Sequence, residues 1–429
     1  MPSDHSSSLT SPRSLVAIVI GAGPAGLVTS LALATVCSKV HLLEKHDTFI
    51  DKGATFGIMP NGKHALQQIS PPLWQELSLA GISTGPPGGL MLPWWEMRNA
   101  AVRIVQKTSP TIQLTMGTTF SNIHEHDTNG KITVHLQKSR TDEIETEKTT
   151  EGEHSSHTTI QGDFVVAADG VHSQVREWLG LPAALETGST VFRGSLTVPS
   201  LEDRQIQSNN SLDPAILKQL QSLLRNGPVP IRPKELNGVY LILFNFHSKY
   251  PGRLIWVLST TNDIYENDAH TQQKSPIQLL REAGLEEDEI PLFQAIFRLS
   301  DPQHLQPYPS TKVIDFSDSV LESYGWGGKK CITLVGDAAH AMRPTDGQGG
   351  NQAFEDALVL CRTLQDMLTN NDEITSESIA TALRTFEATR LPRVKRIHDE
   401  QRIRYEKRMS GEKVGPPSKE FQDWVAKGV

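Results

Sequence analysis

The feature that most constrains this chain is the run Gly21-Ala22-Gly23-Pro24-Ala25-Gly26. It follows a short, continuous apolar run, Leu15–Ile20, of the kind a buried parallel strand requires. Pro24 suits the first turn of a helix, which the pattern carries to about Val36. A second strand, Lys39–Glu44, follows. Strand, helix and strand in this order make a βαβ unit. Its glycines permit a tight turn and let the backbone approach a pyrophosphate closely. The helix start offers N–H groups and a positive dipole end to the phosphates. Glu44 closes the second strand, where its carboxylate can accept hydrogen bonds from ribose hydroxyls. The pattern marks a dinucleotide site without saying which dinucleotide, and a glycine turn without a ligand is the competing reading. Gly21, Gly23, Ala25, Gly26, Glu44 and the adjacent Lys45 are the first candidate cofactor residues. Ser30 is small enough for close helix–strand packing.

Two more buried strands end in Gly/Asp chemistry. Asp163–Ala168 leads into Asp169-Gly170, with Ser173 placed to cap a following helix; alone, Asp-Gly is only a turn signal. Lys330–Val335 leads into Gly336-Asp337-Ala338-Ala339-His340, then Pro344-Thr345-Asp346-Gly347-Gln348-Gly349-Gly350-Asn351, ahead of a helix from Gln352 to about Leu368. Between these strands, Leu114–Gln137 alternates and reads as antiparallel strands. Residues 138–158 carry almost no large apolar side chain and read as an exposed loop, and residues 1–14 as a disordered tail. Thr190–Val198, Val239–Phe246 and Leu254–Ser259 read as strands of a separate sheet, and residues 275–300 and 375–410 as mainly helical. The expected fold is α/β: a Rossmann-like dinucleotide-binding domain (15–188 and 311–374), interrupted by a smaller sheet-based substrate domain (189–310), with C-terminal helices (375–429).

The net charge of −8 argues against nucleic acid as a bulk partner. Cys37, Cys331 and Cys361 make a poor disulfide framework, fit a reducing, cytoplasmic setting, and read as small buried apolar residues. No apolar run is long enough to span a membrane, and no signal sequence opens the chain. Metal-ligand spacing and a nucleophile elbow are absent, so no metal is expected.

Together the three motifs, in this order, resemble the group A flavoprotein monooxygenases, the para-hydroxybenzoate and salicylate hydroxylase-like family. Val191-Phe192-Arg193-Gly194 resembles the start of that family's substrate domain, and Phe386–Arg393 its C-terminal helix signature. The resemblance covers roughly residues 15–400 and is poorly specific for substrate. It implies FAD as cofactor and NADPH or NADH as co-substrate. The ADP half would lie on Gly21–Gly26 and Glu44, the ribityl-pyrophosphate region near Asp337, and the isoalloxazine along Pro344–Gly350. Asp169 is associated with FAD and nicotinamide use. An arginine on an intervening helix contacts the cofactor, with Arg98 the best match and Arg103 the second. The loop Gly53–Gly62, with Gly57, would pass along the flavin face.

The implied reaction is reduction of FAD by NAD(P)H, then transfer of one oxygen atom from O2, through a flavin hydroperoxide, to a small aromatic or phenolic substrate of secondary metabolism. A cation helps ionise a phenol, which points to Arg193; Tyr240 could move a proton across the pocket, and Pro344 lies at the flavin. A structural ion pair for Arg193 and packing for Tyr240 compete with these roles. His64 reads as a surface histidine rather than a base, and Trp94, Trp95, Trp256 and Trp326 as packing rather than an aromatic site. Epoxidation of an alkene or prenylated substrate by the same intermediate is the close alternative. A flavin-binding scaffold without turnover, and a plain reductase or oxidase, are more distant. A monomer or homodimer is expected.

Overall fold

The computed structural model describes residues 14–49, 54–83, 88–124, 130–138, 158–200, 212–225, 231–236, 238–261, 274–301, 312–371, 373–410 and 412–429. Nearly all of the expected tail and of the expected 138–158 loop lie outside the described residues.

A five-stranded parallel sheet organises the larger part of the molecule. Its order is Ile332–Leu334, Phe164–Ala167, Val16–Ile20, Lys39–Leu43, Ile112–Thr115. Strands of this sheet are apolar almost throughout because helices cover both faces. The helix Pro24–Leu33 makes the crossover between its first two strands. It ends earlier than the pattern suggested, since the Thr35 hydroxyl turns back to the Ala32 carbonyl at 2.7 Å and closes the last turn. The chain leaves Val16–Ile20 toward one neighbour and returns later on its other side. Ligands of such sheets collect at this switch point, beyond the carboxyl ends of the strands.

The Leu114–Gln137 expectation needs correcting. Ile112–Thr115 follows the helix Trp94–Lys107 and so joins the parallel sheet. Only after a turn at Gly117, with φ of 67°, does an antiparallel sheet of Thr118–His124, Ile132–Lys138 and Thr158–Gly162 begin. A small sheet of Thr55–Ile58, Leu90–Pro93 and Ile82–Ser83 was not anticipated.

A second, antiparallel sheet runs Ser189–Thr197, Arg253–Thr261, Val239–Asn245, Ile231–Leu236. The last strand was missed because it contains Pro233, which a sheet tolerates only at an edge, and an edge is where it lies. One face of this sheet carries Phe192, Trp256, Leu258, Leu241 and Leu243. The helices Pro214–Arg225, Pro276–Glu282 and Ile290–Leu299 bury it. Trp256 lies across Gly194, where a Cβ would sit 2.7 Å from the indole ring. Leu185–Glu186 pairs with Lys312–Val313, so the excursion into this second sheet leaves and returns through a two-stranded ribbon. The helices Gly349–Asn370 and Ser376–Met409 close the fold, with Lys419–Lys427 docked at the end.

Candidate functional site

Four of the five parallel strands deliver a motif residue at their carboxyl ends: Gly21, Glu44, Asp169 and Asp337. The three motifs touch. Gly21, with φ of 101°, lies against Ala168 and Asp169, and a Cβ there would sit 2.5 Å from the Ala168 carbonyl oxygen. A Cβ at Gly336 would lie 2.9 Å from the Ala25 methyl group. A Cβ at Gly26 would lie 1.8 Å from the Gly21 carbonyl oxygen, so only glycine lets the helix approach its strand this closely. Gly23 differs: nothing stands within 4 Å of the position its Cβ would take. The loop therefore keeps a bare backbone facing open space at the helix start, the form a pyrophosphate cradle takes.

Glu44 borders this cradle, buried, with its carboxylate accepting from the Ala22 N–H at 2.9 Å and the His46 N–H at 3.0 Å. Each oxygen keeps a second lone pair for a hydroxyl. Lys45 is exposed beside it. The Asp169 carboxyl pKa is raised by burial, against the bonds it accepts from Ser173 and the Val175 N–H. Ser173 caps the short helix Gln174–Trp178, as its residue type suggested. The Asp337 carboxyl pKa is also raised by burial, opposed by His340. Its surface is nonetheless exposed, so the carboxylate is crowded by the surrounding chain yet still reachable.

The helix Gly349–Asn370 begins next to Asp337: a Cβ at Gly349 would lie 3.7 Å from Asp337 Oδ1. It starts earlier than the expected Gln352, and no side chain caps it. Gly347 is left-handed, and Gly350 packs on the Phe56 ring. Asn351 is wholly buried. Its amide donates to the carbonyls of Gly57 (2.9 Å) and Gly347 (2.6 Å) and accepts from the Met59 N–H (2.9 Å). It braces the glycine loop against the strand Thr55–Ile58, so its amide is spent on main chain and is not turned to the cleft. Gly57 has no steric need to be glycine; the Met59 and Met91 side chains converge on it.

Behind the loop lies a charge network that sequence reasoning missed. Asp356 Oδ2 accepts from Gly336 N–H at 2.9 Å and lies 2.6 Å from His340 Nε2; its Oδ1 lies 2.8 Å from Arg390 Nε. Glu355 pairs with Arg390 Nη1 at 2.8 Å and Arg393 Nε at 2.6 Å, and accepts from the Asn61 amide at 2.7 Å. Burial alone would raise the Asp356 carboxyl pKa, but His340 and Arg390 overcome it and the pKa is lowered. The adjacent acids Glu355-Asp356 inside an apolar helical pattern were an available signal, beside the Phe386–Arg393 segment that supplies both arginines. This network fixes the left-handed turn at Gly336 that presents Asp337.

The uncovered face of the antiparallel sheet looks toward the small sheet of the larger part. Cross-strand rows grade outward. Ser195, Ile255 and Phe244 are buried under Ile82 and Met91. Arg193, Val257 and Ile242 are half-buried. Val191, Ser259 and Tyr240 form the outer row, with Tyr240 37% exposed. On these three strands Arg193 is the charged residue of the rows, and Glu235 of the edge strand continues the outer row beyond Tyr240. Pro344 is exposed in the short turn Pro344–Asp346.

Arg98 is only 4% exposed, its guanidinium over the rings of Phe49 (4.9 Å) and Trp94 (5.1 Å). Arg103, the second choice, is engaged at the surface by Glu76 and Glu96. His64 is exposed and contacts Gln68. Trp256 donates to Ser300 at 2.8 Å and Trp326 to the Leu334 carbonyl at 2.9 Å, both in cores; Trp95 meets Tyr250 edge-on. Cys37 and Cys331 are buried free thiols. Cys361 is only half-buried, because it bonds Thr35 near the surface. Among the described residues no cluster could hold a metal ion, and no helix is long and apolar enough to cross a membrane.

The open backbone at Gly23, the bordering carboxylate of Glu44 and the strand-end carboxylate of Asp337 fit a dinucleotide laid across the strand ends. A family model described as FAD binding domain matches residues 83–240 and 303–401, more than half of the chain. The chain is 25% identical to the FAD-dependent monooxygenase ausM of Aspergillus calidoustus over 92% of its length and 79% of that protein. It is similar in fold to the crystal structure of FqzB (TM-score 0.66, 22% identity, 92% of this chain and 86% of that one). CtdE, solved in complex with FAD, matches at a TM-score of 0.67 and 17% identity, over 92% of this chain and 94% of that one.

Proposed function

Because this chain belongs to the FAD binding domain family, we propose that, as an FAD-dependent monooxygenase, it uses NADPH or NADH to insert one oxygen atom of O2 into a small organic substrate of secondary metabolism. Bound FAD would supply the redox chemistry, namely hydride acceptance from the nicotinamide and activation of O2. The residues of this chain do the rest. Gly21–Gly26, Glu44, Asp169 and Asp337 hold the cofactor, with Arg98 on its flank. The loop Pro344–Gly350 backs the flavin and helps exclude water.

The observation that carries the substrate side is Arg193, a cation set in a half-buried row with Val257 and Ile242. A phenolate or enolate oxygen would pair with its guanidinium while the hydrocarbon body lies on the apolar row. Such a pairing favours the ionised, more nucleophilic form of the substrate. Tyr240, in the outer row, can exchange a proton with solvent. The apolar surroundings, including Met59 and Met91, also suit an alkene, in which case the product is an epoxide.

The test is NADPH and NADH oxidation by the purified yellow protein with a panel of phenols, polyketides and prenylated indoles. One compound should accelerate oxidation and yield a product heavier by one oxygen, with NMR separating phenol from epoxide. A flavin that neither nicotinamide bleaches under any condition would defeat the reading and leave a scaffold.

A further inference from the structure

The family match ends at residue 401, but the helix Ser376–Met409 continues, and its last turns reach two parts of the site. Arg404 Nη1 lies 2.6 Å from Asp346 Oδ1, in the short turn Pro344–Asp346. The Arg343 guanidinium lies over the Tyr405 ring, 3.5 Å from its centre. The Tyr405 hydroxyl donates to the Thr187 carbonyl at 3.2 Å. Thr187 stands between the ribbon strand Leu185–Glu186 and the strand Ser189–Thr197 that bears Arg193. One helix end therefore grips the flavin loop on one side and the root of the Arg193 strand on the other. The Arg404–Asp346 side chains are only 16% and 20% exposed, so solvent screens their attraction less than at an open surface. A guanidinium stacked on a phenol ring is also geometrically restrictive, since both groups are flat.

We propose that Arg404 and Tyr405 are positioning residues that set the spacing between the loop Arg343–Gly347 and the strand carrying Arg193, and hence the height of the cleft in which substrate meets FAD. They act through Asp346, Arg343 and Thr187 and need touch neither cofactor nor substrate. The inference rests on the loop's place beside the flavin in the reading above.

The experiment uses the FAD-loaded enzyme and reads the flavin itself, by iodide quenching of its fluorescence and by its visible circular dichroism. Arg404→Ala and Tyr405→Phe should retain FAD yet raise the quenching constant about threefold, the scale of one partly screened ion pair or hydrogen bond. The dichroic band should change with it, and Arg404→Lys should recover most of the parent behaviour. Parent quenching and dichroism in both variants, at equal FAD content, would overturn the proposal. If Arg404→Ala does not fold, Tyr405→Phe decides alone, because it deletes one oxygen atom and keeps the ring. These signals need only bound FAD, so they stand apart from whether any compound is ever oxygenated.

Discussion

Gly23→Ala and Gly26→Ala ought to fail in opposite ways. At Gly26 a Cβ would lie 1.8 Å from the Gly21 carbonyl oxygen. Ordinary contact begins near 3.4 Å, so the helix Pro24–Leu33 must retreat by about 1.5 Å from a close-packed strand. Overpacking of this kind costs about 1–3 kcal/mol or more, against about 1 kcal/mol gained from alanine's helix propensity. At Gly23 the backbone has φ of −72° and ψ of 178°, open to alanine, and no protein atom lies within 4 Å of the new methyl. Loss of a glycine cap and reduced freedom of the unfolded chain nearly cancel there, leaving stability within about 1 kcal/mol. A phosphate oxygen, however, must come to about 2.9 Å from the loop's N–H groups. A methyl on that side pushes it away and sacrifices at least one charge-assisted bond of about 1.5–3 kcal/mol, a tenfold to hundredfold loss of FAD affinity. Thermal unfolding of the FAD-free protein and titration by flavin fluorescence measure the two effects. Gly23→Ala with parent FAD affinity, or with a melting temperature lowered by several degrees, would refute the cradle as drawn.

Three further outcomes can be checked. Asp356→Ala leaves Arg390 and His340 buried without this partner and should destabilise the protein by about 3–5 kcal/mol in urea unfolding; a loss under about 1 kcal/mol would mean the network is slack. His398 is held neutral down to about 4 by burial, whereas the unfolded residue takes up a proton near 6.5. Between those values the unfolded state binds more protons, so stability falls as pH falls, by roughly 3 kcal/mol in all, and is unaffected by this group above that window. His398→Phe, which can keep the stacking on Phe316, should flatten that part of the pH profile, and an unchanged slope would argue against it. Arg193→Met should leave FAD affinity within about twofold but lower substrate-stimulated NAD(P)H oxidation by tenfold or more, the worth of one charge-assisted bond; equal loss for substrates with and without an ionisable oxygen would remove its assigned partner.

The dinucleotide half of the fold was legible because each motif follows an unbroken apolar strand, and parallel pairing then forces their carboxyl ends onto one edge. Gly21, Glu44, Asp169 and Asp337 needed no distance information to be grouped. The strand Ile112–Thr115 was misassigned because alternation cannot tell one short strand from the hairpin beyond it; only the helix Trp94–Lys107 before it makes the pairing parallel. Asn351 lies in the first turn of the helix Gly349–Asn370, and sequence could not tell an amide left open from one spent on Gly57, Met59 and Gly347. Arg193 and Tyr240 were placed on two strands of one sheet, which the strand Arg253–Thr261 separates. Which rows they occupy, and that burial grades across those rows, depends on register, which pattern alone does not give.

The buried network was hidden for a different reason. Arg390 and Arg393 lie three residues apart in a charge-rich helix, a spacing that ordinarily marks a solvated face. Glu355 and Asp356 look like an interruption of an apolar one. Each pair becomes intelligible only when the helices Gly349–Asn370 and Ser376–Met409 are packed together, for then two acids and two arginines neutralise one another out of water. Isolated burial of any one of them would be prohibitive. Their joint burial places a rigid, low-dielectric block directly behind the turn at Gly336 and, through Asn61, behind the segment that follows Met59. Charged residues in this protein therefore serve the site from two sides. Glu44, Asp169 and Asp337 stand at the strand ends and Arg193 on the uncovered sheet face, while Asp356, Glu355 and Arg390 spend their charge on fixing the backbone behind the turn at Gly336.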